Sequence, residues 1–308
     1  MKKKKILIIS LLLCVFTLTG CTSYLKDSDK KIVKNETTGQ NLVENILCQP
    51  ISPDTIAKYE EVGQNNNSLP KCSEFKINSG GYEGIWTTIF VKPLAWLILK
   101  IGYFVKNFGL SIIIVTLLIR TIMIPFTKKA AMQSENLKLV QPELTKLEKK
   151  YKDKKDQDSM MQKSQEMLIL YKKYNINPMS GCLFSFIQLP LFMAFYEALY
   201  RLPSVFEGKF LLFDLGVTPF TAFGNGQYYY VILILLVFLV TFYSFKLNSG
   251  AALGKEQEAQ MKLMRNITLV MIGTASFTVS AAIALYWITN STFTIVQNLY
   301  VKRSIAKW

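Results

Sequence analysis

The apolar residues of this 308-residue chain lie in long blocks, without the regular polar interruptions of a soluble helix or strand. Five of these blocks have the roughly 17–22 residues that a helix needs to cross ~30 Å of hydrocarbon at ~1.5 Å per residue. The predicted membrane spans are residues 108–127, 179–200, 227–246, 263–279 and 282–301. Very few residues separate the last two spans, so these spans must form a tight helical hairpin. The pattern predicts an all-α membrane protein with five transmembrane helices.

The amino terminus has the pattern of an export signal. A basic stretch, Lys2–Lys5, precedes an apolar stretch, Ile6–Val15, that is too short to be a stable membrane anchor. The run Leu18-Thr19-Gly20-Cys21 then resembles a bacterial lipobox, in which the signal is cleaved before the cysteine and the cysteine is acylated. Residues 1–20 are therefore predicted to be a lipoprotein signal peptide, with an acyl group such as palmitate on Cys21. The alternative is an ordinary signal peptide with an incidental cysteine.

The segment between this signal and the first span is predicted to lie outside the cell. Residues 21–84 are polar and rich in Asn, Ser and Lys, which indicates a mostly irregular extracellular segment. Cys48 and Cys72 lie there in an oxidising compartment, and the sequence leaves open whether they form a disulfide or remain free thiols. Residues 85–107 combine tryptophans with interrupting lysines, which favours an interfacial amphipathic helix on the outer surface over a sixth span.

The loop charges predict the orientation of the spans. The net charge is +15. Residues 128–178 hold twelve Lys and seven Asp or Glu, the loop 247–262 together with its edge residues Lys246 and Arg265 holds four basic and two acidic residues, and the tail 302–308 is basic, whereas the loop 201–226 is balanced. Because cytoplasmic loops of membrane proteins carry the excess of Lys and Arg, these three basic segments are predicted to be cytoplasmic and the loop 201–226 extracellular. The chain is thus predicted to be a multi-pass protein of the cell membrane with its N-terminus outside and its C-terminus inside.

The cytoplasmic segment 128–178 has the pattern of a helical hairpin. Apolar residues recur at intervals of three and four along its first half, Lys152–Ser159 forms a charged turn, and a weaker stripe returns. Such a hairpin either connects two spans or offers a docking surface for cytoplasmic partners or an incoming chain.

The composition excludes several classes of enzyme. The chain contains no histidine, so Ser-His-Asp and Cys-His hydrolase chemistry is ruled out and the commonest metal ligand is missing. It has neither a G-x-x-x-x-G-K-[ST] phosphate loop nor a G-x-G-x-x-G motif behind a strand. We therefore expect no enzymatic activity, no cofactor, no metal site and no direct nucleic-acid function.

Two ionisable side chains, Arg120 and Glu197, lie inside the predicted spans away from their ends. A charged residue in hydrocarbon normally faces a bundle interior or a wet cavity. Arg120 lies eight residues before Lys128, roughly 12 Å from the cytoplasmic edge of its span, which predicts a hydrated pocket open to the cytoplasm. A structural ion pair or a tether between helices is the alternative. Glu197 lies near the outer end of its span and is predicted to be an interface residue.

The last span is unusually polar between Thr289 and Asn298, and Asn290 belongs to this stretch. Hydrogen bonds between helices explain part of such polarity. The number of polar residues exceeds that need, so one face of this helix is predicted to be lined by water. In the second span, Gln188 precedes Leu189-Pro190, where the proline frees a backbone carbonyl and bends the helix.

The chain contains several separate sequence motifs along its predicted spans and loops. These motifs are Gly109-Leu110-Ser111-Ile112-Ile113-Ile114-Val115-Thr116-Leu117-Leu118-Ile119-Arg120 with Pro125, Asn177-Pro178-Met179-Ser180-Gly181-Cys182, Gln188-Leu189-Pro190, Phe213-Asp214-Leu215-Gly216 and Leu285-Tyr286-Trp287. They resemble those of the YidC-type membrane protein insertases, the bacterial branch of the Oxa/Albino group. Their order and spacing match over about residues 82–303, and the lipobox resembles the Gram-positive type.

The resemblance implies five helices around a hydrophilic groove that is open to the cytoplasm. It implies that the groove, as the substrate-binding site, contains Arg120, Gln188, Tyr286, Trp287 and Asn290. The implied function is that of an insertase and chaperone for nascent membrane proteins whose short translocated tails are acidic. The implied partners extend to membrane lipids, the ribosome, the signal recognition machinery and the Sec translocon. Two alternatives stay open: a small-solute or proton-coupled carrier, and a passive assembly scaffold.

Overall fold

The computed structural model describes residues 23–154, 156–177, 180–248 and 255–305. The predicted signal peptide, its lipobox and Cys21 lie outside these residues. Helices dominate the described chain. They are α1 (Pro53–Glu61), α2 (Gly84–Val105, with a π-helical turn at Thr87–Val91), α3 (Phe108–Ile122), α4 (Ile124–Tyr151), α5 (Gln157–Lys173), α6 (Ser180–Tyr200), α7 (Pro203–Phe206), α8 (Pro219–Gly224), α9 (Val231–Asn248), α10 (Lys255–Ala275) and α11 (Ala281–Ile305).

Backbone contacts divide the chain into two compact units. The first unit contains residues up to 118 together with 188–235 and 276–289. The second contains residues 119–187, 236–275 and 290–308.

In the first unit, the segment before α2 is folded, whereas the sequence predicted a mostly irregular one. It contains α1, a 3-10 turn at Cys72–Glu74 and a set of isolated β-bridges such as Tyr24 with Val43. Cys48 and Cys72 form a disulfide across 24 residues. Both cysteines are buried, together with Leu42, Val43, Leu47, Tyr59 and Phe75. A small apolar core and one covalent link thus hold a segment whose local sequence has no periodicity.

The loop between α6 and α9 adds the only strands among the described residues, and they modify the all-α prediction. Strand β1 (Lys209–Phe210) pairs with β2 (Phe213–Asp214) in an antiparallel hairpin, with Lys209 opposite Asp214. The first segment and this loop are joined by backbone hydrogen bonds, from the Leu47 N–H to the Arg201 carbonyl (2.9 Å) and from the Thr218 N–H to the Thr38 carbonyl (3.4 Å).

The predicted span 108–127 differs from the observed helices. Helix α3 ends at Ile122, and α4 begins at Ile124 after a bend of 69°. Pro125 occupies the first turn of α4, where its missing N–H and fixed φ suit a helix start but not a helix interior. The apolar block of the sequence therefore continues past the point at which the backbone changes direction.

Among the described residues, two helical segments are long and apolar enough to cross a membrane, Gly84–Val105 and Tyr228–Leu247. The bent pair α3–α4 makes a third if it is one span. The segment Gly84–Val105 is the one that the sequence analysis placed at the interface. Helices α6 and α11 coincide with the predicted second and fifth spans. Helix α10 starts at Lys255, inside the predicted loop 247–262, and ends at Ala275 instead of residue 279.

In the second unit, α4 and α5 pack against each other as a helical hairpin. Its core consists of Val140, Leu144, Tyr171 and Ile176. Asp156 caps α5, since its side chain accepts a hydrogen bond from the Ser159 N–H at 2.8 Å. The stripes that the sequence shows in this segment are thus the faces that pack against each other.

Candidate functional site

Arg120, the arginine within the first predicted span, is buried in the second unit. Its side chain is 2% exposed, and its Nε donates a hydrogen bond to Asn290 Oδ1 at 2.5 Å. The structure therefore brings two of the five predicted groove residues together across 170 positions of sequence. The Nε–H group of Arg120 meets a side-chain amide, as expected for the alternative of a tether between helices, and the hydrated pocket open to the cytoplasm stays a prediction.

The polar stretch of α11 also faces inward. Ser291, Thr294 and Asn298 share one face of the helix and are buried. Gln297, the residue directly before Asn298, donates to Thr127 Oγ1 at 2.7 Å. Buried amide and hydroxyl groups of this kind can satisfy one another or groups on a facing helix in an apolar layer, and the water-lined face of α11 stays a prediction.

Three other predicted groove residues lie in the first unit, where aromatic contacts join α6 to the start of α11. Tyr286 is 1% exposed and stacks on Phe195, with ring centroids 4.4 Å apart. Trp287 meets Phe192 edge-on at 5.2 Å, and both Trp287 and Gln188 are partly buried. The sequence motif drew attention to Tyr286 and Trp287 but not to Phe192 and Phe195, which a helical spacing from Gln188 could have suggested.

A buried cluster of charges lies in the same unit, and the sequence analysis missed it. Arg201 is 1% exposed and its Nη1 pairs with Glu197 Oε1 at 3.1 Å. Arg201 Nη2 also pairs with Glu83, whose other oxygen lies 2.8 Å from Lys92 Nζ. Trp86 Nε1 donates to Glu197 Oε2 at 2.9 Å. Two acidic and two basic side chains are thus assembled from the first part of α2, with Glu83 just before it, and from the C-terminal end of α6.

This cluster corrects two predictions. Glu197 was expected at the membrane interface, but it is 5% exposed because Arg201 and Trp86 satisfy its oxygens. Lys92 was expected to interrupt the apolar pattern at a surface, but it is 0% exposed. Its ammonium donates to the carbonyls of Ser79 at 2.7 Å and Gly81 at 2.6 Å. A buried charge is tolerated where every one of its polar atoms has such a partner.

Glu83, which precedes α2, links the two cations of this cluster. Partial burial by itself would raise the pKa of the Glu83 carboxyl, but the hydrogen bonds and positive charges of Lys92 and Arg201 lower it below its usual value. The carboxylate is therefore ionised at neutral pH and compensates both neighbours.

The hairpin of the second unit is held at its base. Lys138 Nζ donates to Glu135 Oε1 at 2.6 Å and to the carbonyl of Leu247, in the last turn of α9, at 2.7 Å. Gln133 donates to the Asn175 carbonyl and accepts from the Asn177 N–H. These contacts join the first half of α4 to the end of α9 and to the segment after α5, and lysines further along α4, such as Lys146 and Lys149, are exposed.

No metal site is visible in the part of the chain that the structure covers, where no three His, Cys, Asp or Glu side chains lie close enough to hold an ion.

The chain is similar in sequence to a known protein family and to named relatives. The family model described as "60Kd inner membrane protein" matches residues 100–307. The membrane protein insertase YidC of Oceanobacillus iheyensis is 37% identical over 226 residues, which are 72% of this chain and 85% of the relative. The membrane protein insertase MisCA of Bacillus subtilis is 35% identical over 218 residues, 70% of this chain and 79% of the relative.

A solved structure is also similar. It is described as an active YidC insertase crystal structure with the first transmembrane domain resolved, and it matches with a TM-score of 0.50 at 26% identity. The match covers 71% of this chain and 48% of that chain, so this chain corresponds to about half of the length of the solved one. The resemblance seen in the sequence motifs is confirmed by these findings.

Proposed function

This chain belongs to the family of the 60Kd inner membrane protein and is a membrane protein insertase of the cell membrane. We propose that its clients, the nascent membrane proteins that it inserts, pass through a hydrophilic groove built around Arg120. The relatives from Oceanobacillus iheyensis and Bacillus subtilis are named membrane protein insertases. The groove, its opening to the cytoplasm and the acidic character of the client tails belong to the proposal.

The observation that supports this proposal is the contact between Arg120 and Asn290. A buried guanidinium in an apolar helix is unfavourable unless its donors are satisfied. Asn290 supplies a neutral acceptor, so this hydrogen bond satisfies Nε and adds no negative charge beside it. A carboxylate that replaced the amide would add a Coulombic attraction, because both partners of the hydrogen bond would then carry a full charge.

The proposed mechanism is that a client carboxylate replaces the Asn290 amide as the hydrogen-bond acceptor of Arg120. An acidic client tail enters from the cytoplasmic side and takes the place of Asn290 as the acceptor for Arg120. Water that accompanies the tail reduces its desolvation. The apolar segment of the client then moves beside α6 and α11 into lipid, driven by burial of its apolar surface. The membrane potential favours outward transfer of an acidic tail by about 2.3 kcal/mol per charge per 100 mV. No covalent bond is made or broken.

The test is insertion of a single-span client into vesicles that contain the purified protein. Arg120→Ala is expected to lower insertion of a client with an acidic tail and to have less effect on the same client with a neutral tail. Arg120→Lys is expected to retain most activity, since charge rather than a bidentate fork is invoked.

Asn290 provides a matched pair of control variants. Asn290→Asp places a permanent carboxylate beside Arg120 and is expected to reduce insertion of the acidic client, because the client must displace an ion pair. Asn290→Ala removes the acceptor without adding charge and is expected to leave insertion of that client higher than Asn290→Asp does. Equal loss in both variants, or equal dependence of acidic and neutral clients on Arg120, would contradict the proposal. Solute flux through the same vesicles without insertion would favour the carrier alternative.

The topology and the partners complete the proposal. The five spans, an outside N-terminus with an acylated Cys21, and a cytoplasmic C-terminus are supported by the loop charges and the lipobox. The exposed surface of the α4–α5 hairpin is the proposed contact for the ribosome, the signal recognition machinery or the Sec translocon. Labelling of the wild-type chain but not of Cys21→Ala with radioactive palmitate tests the anchor.

A further inference from the structure

The β-hairpin Lys209–Asp214, here called the Leu-Leu hairpin, has two leucines at its turn. Leu211 is 80% exposed and Leu212 is 72% exposed. Leu211 has a φ of +53°, in the left-handed region of the backbone. Both features are unusual for a leucine.

Neither feature stabilises the chain in water. The left-handed conformation is unfavourable for an L-residue with a bulky side chain, and turns that require it normally use Gly, Asn or Asp. Adjacent exposed leucines also leave apolar surface in contact with solvent. Two independent penalties at one turn indicate that the side chains have an environment outside the chain itself.

The position of the Leu-Leu hairpin identifies that environment. Phe210 packs over the first turn of α3, where a Cβ atom on Gly109 would lie 2.4 Å from the Phe210 side chain, so only glycine allows the contact. Asn107 Nδ2 donates to the Lys209 carbonyl at 3.4 Å. The hairpin is therefore attached to the start of an apolar helix. The neighbouring residues are also exposed and apolar, Phe104 at 88% and Leu110 at 40%.

The charges of the hairpin are confined to its base. Lys209 Nζ pairs with Asp214 Oδ1 at 3.0 Å, and the Lys209 side chain is 76% exposed. At ~3.3 Å per residue of strand, the leucines lie roughly 7 Å beyond this pair. That spacing corresponds to the distance between a headgroup and the upper part of the acyl chains, and an exposed lysine suits a lipid phosphate.

We propose that the Leu-Leu hairpin inserts into the bilayer at the Phe108 end of α3, with Leu211 and Leu212 among acyl chains and Lys209 at the phosphate level. The occupant of this surface is lipid, because the hairpin continues the apolar surface of α2 and α3 at the end of a membrane helix. Under the proposed topology this is the outer leaflet. The hairpin thereby fixes the depth of the loop that follows α6, independently of any client or of Arg120.

Spin labelling tests the proposal in the full mature chain. The label is attached to the cysteine of Leu212→Cys. Other free thiols are removed by Cys182→Ala and, if Cys21 carries no acyl group, by Cys21→Ala. Cys48 and Cys72 do not react because they form a disulfide. The chain is reconstituted into vesicles of phosphatidylglycerol and phosphatidylethanolamine. The control site is Ala57→Cys on the exposed side of α1. Accessibility is measured to oxygen, which concentrates in hydrocarbon, and to a nickel chelate, which stays in water.

The label at residue 212 is expected to be more accessible to oxygen than to nickel, and the label at residue 57 is expected to show the reverse. Nickel accessibility at residue 212 equal to that at residue 57 would overturn the proposal by placing the hairpin in water. Low accessibility to both reagents would overturn it by showing that protein covers the leucines.

A photoreactive amino acid in place of Leu212 gives a second measurement, in cell membranes and without a cysteine background. An adduct with the mass of a phospholipid supports the proposal. An adduct with another protein, a client or a second copy of the chain refutes it. Arg120→Ala is expected to lower insertion activity but to leave the label accessibility and the lipid adduct at residue 212 unchanged. Failure of the proposed groove around Arg120 can therefore be distinguished from failure of the proposed lipid contact of the Leu-Leu hairpin.

Discussion

Removal of the Arg201 side chain is the most direct test of how the buried charges hold the first unit together. Its guanidinium pairs with Glu197 and with Glu83, and its Nε donates to the Asn45 carbonyl at 2.5 Å. Arg201→Met keeps much of the side-chain volume but removes the charge and all of these hydrogen bonds. Glu83 retains Lys92, whereas Glu197 loses its cation and keeps the hydrogen bond from Trp86.

The expected effect is large because Glu197 is 5% exposed and cannot be rehydrated in place. Removing one partner of a buried ion pair destabilises a protein by about 3–5 kcal/mol. At about 2–4 °C per kcal/mol for chains of this order of size, this corresponds to a fall in the apparent melting temperature of roughly 6–20 °C. The assay is thermal unfolding of the purified protein in detergent. The control is Lys31→Met, since Lys31 pairs with Asp29 at the surface with 77% of its side chain exposed, and a shift below about 3 °C is expected there.

A double variant tests the cause of the loss. Adding Glu197→Gln to Arg201→Met removes the uncompensated charge while an amide oxygen can still accept from Trp86. The double variant is therefore expected to recover about 0.5–3 kcal/mol relative to Arg201→Met, the usual range for coupled residues in contact. If Arg201→Met melts like Lys31→Met, or if the second substitution adds to the loss, the buried charges do not stabilise this unit as argued here.

Three further predictions concern other contacts. Replacement of both Cys48 and Cys72 by serine is expected to destabilise the first unit by roughly 3 kcal/mol, the value for a loop of this length, and reductant should lower the melting temperature of the wild type but not of this variant. Lys138→Met removes the donor to the Leu247 carbonyl. Amide hydrogen exchange in the last turn of α9 is therefore expected to become about fivefold faster, which is equivalent to roughly 1 kcal/mol. An unchanged exchange rate would show that this contact does not stabilise the end of α9. Because the pKa of Glu83 is lowered in the fold, its contribution is complete above its unfolded pKa of about 4.3 and is lost as the pH falls below that value. The melting temperature should therefore drop at acidic pH, and the drop should be smaller in Glu83→Gln.

The features that the sequence predicted well are those encoded in neighbouring residues. Apolar blocks and heptad-like stripes reflect local periodicity, and they identified the helices α6, α9 and α11 and the packed hairpin α4–α5. The motifs around Arg120, Gln188 and Trp287 identified the family, and with it the insertase function. Pattern and motif are sufficient for these conclusions because each depends on residues within a few turns of one another.

Features that depend on distant partners were decided only by the tertiary structure. Arg201 and Glu83 are 118 positions apart and Arg120 and Asn290 are 170 apart, so no local pattern could show that these polar groups satisfy one another in the interior. For the same reason Lys92 was mistaken for a surface residue, and the segment before α2 for a mostly irregular one. Composition determines that a charge or a polar segment exists; whether it is solvated or buried depends on the partners that the fold brings to it, because burial is tolerated only where those partners are present.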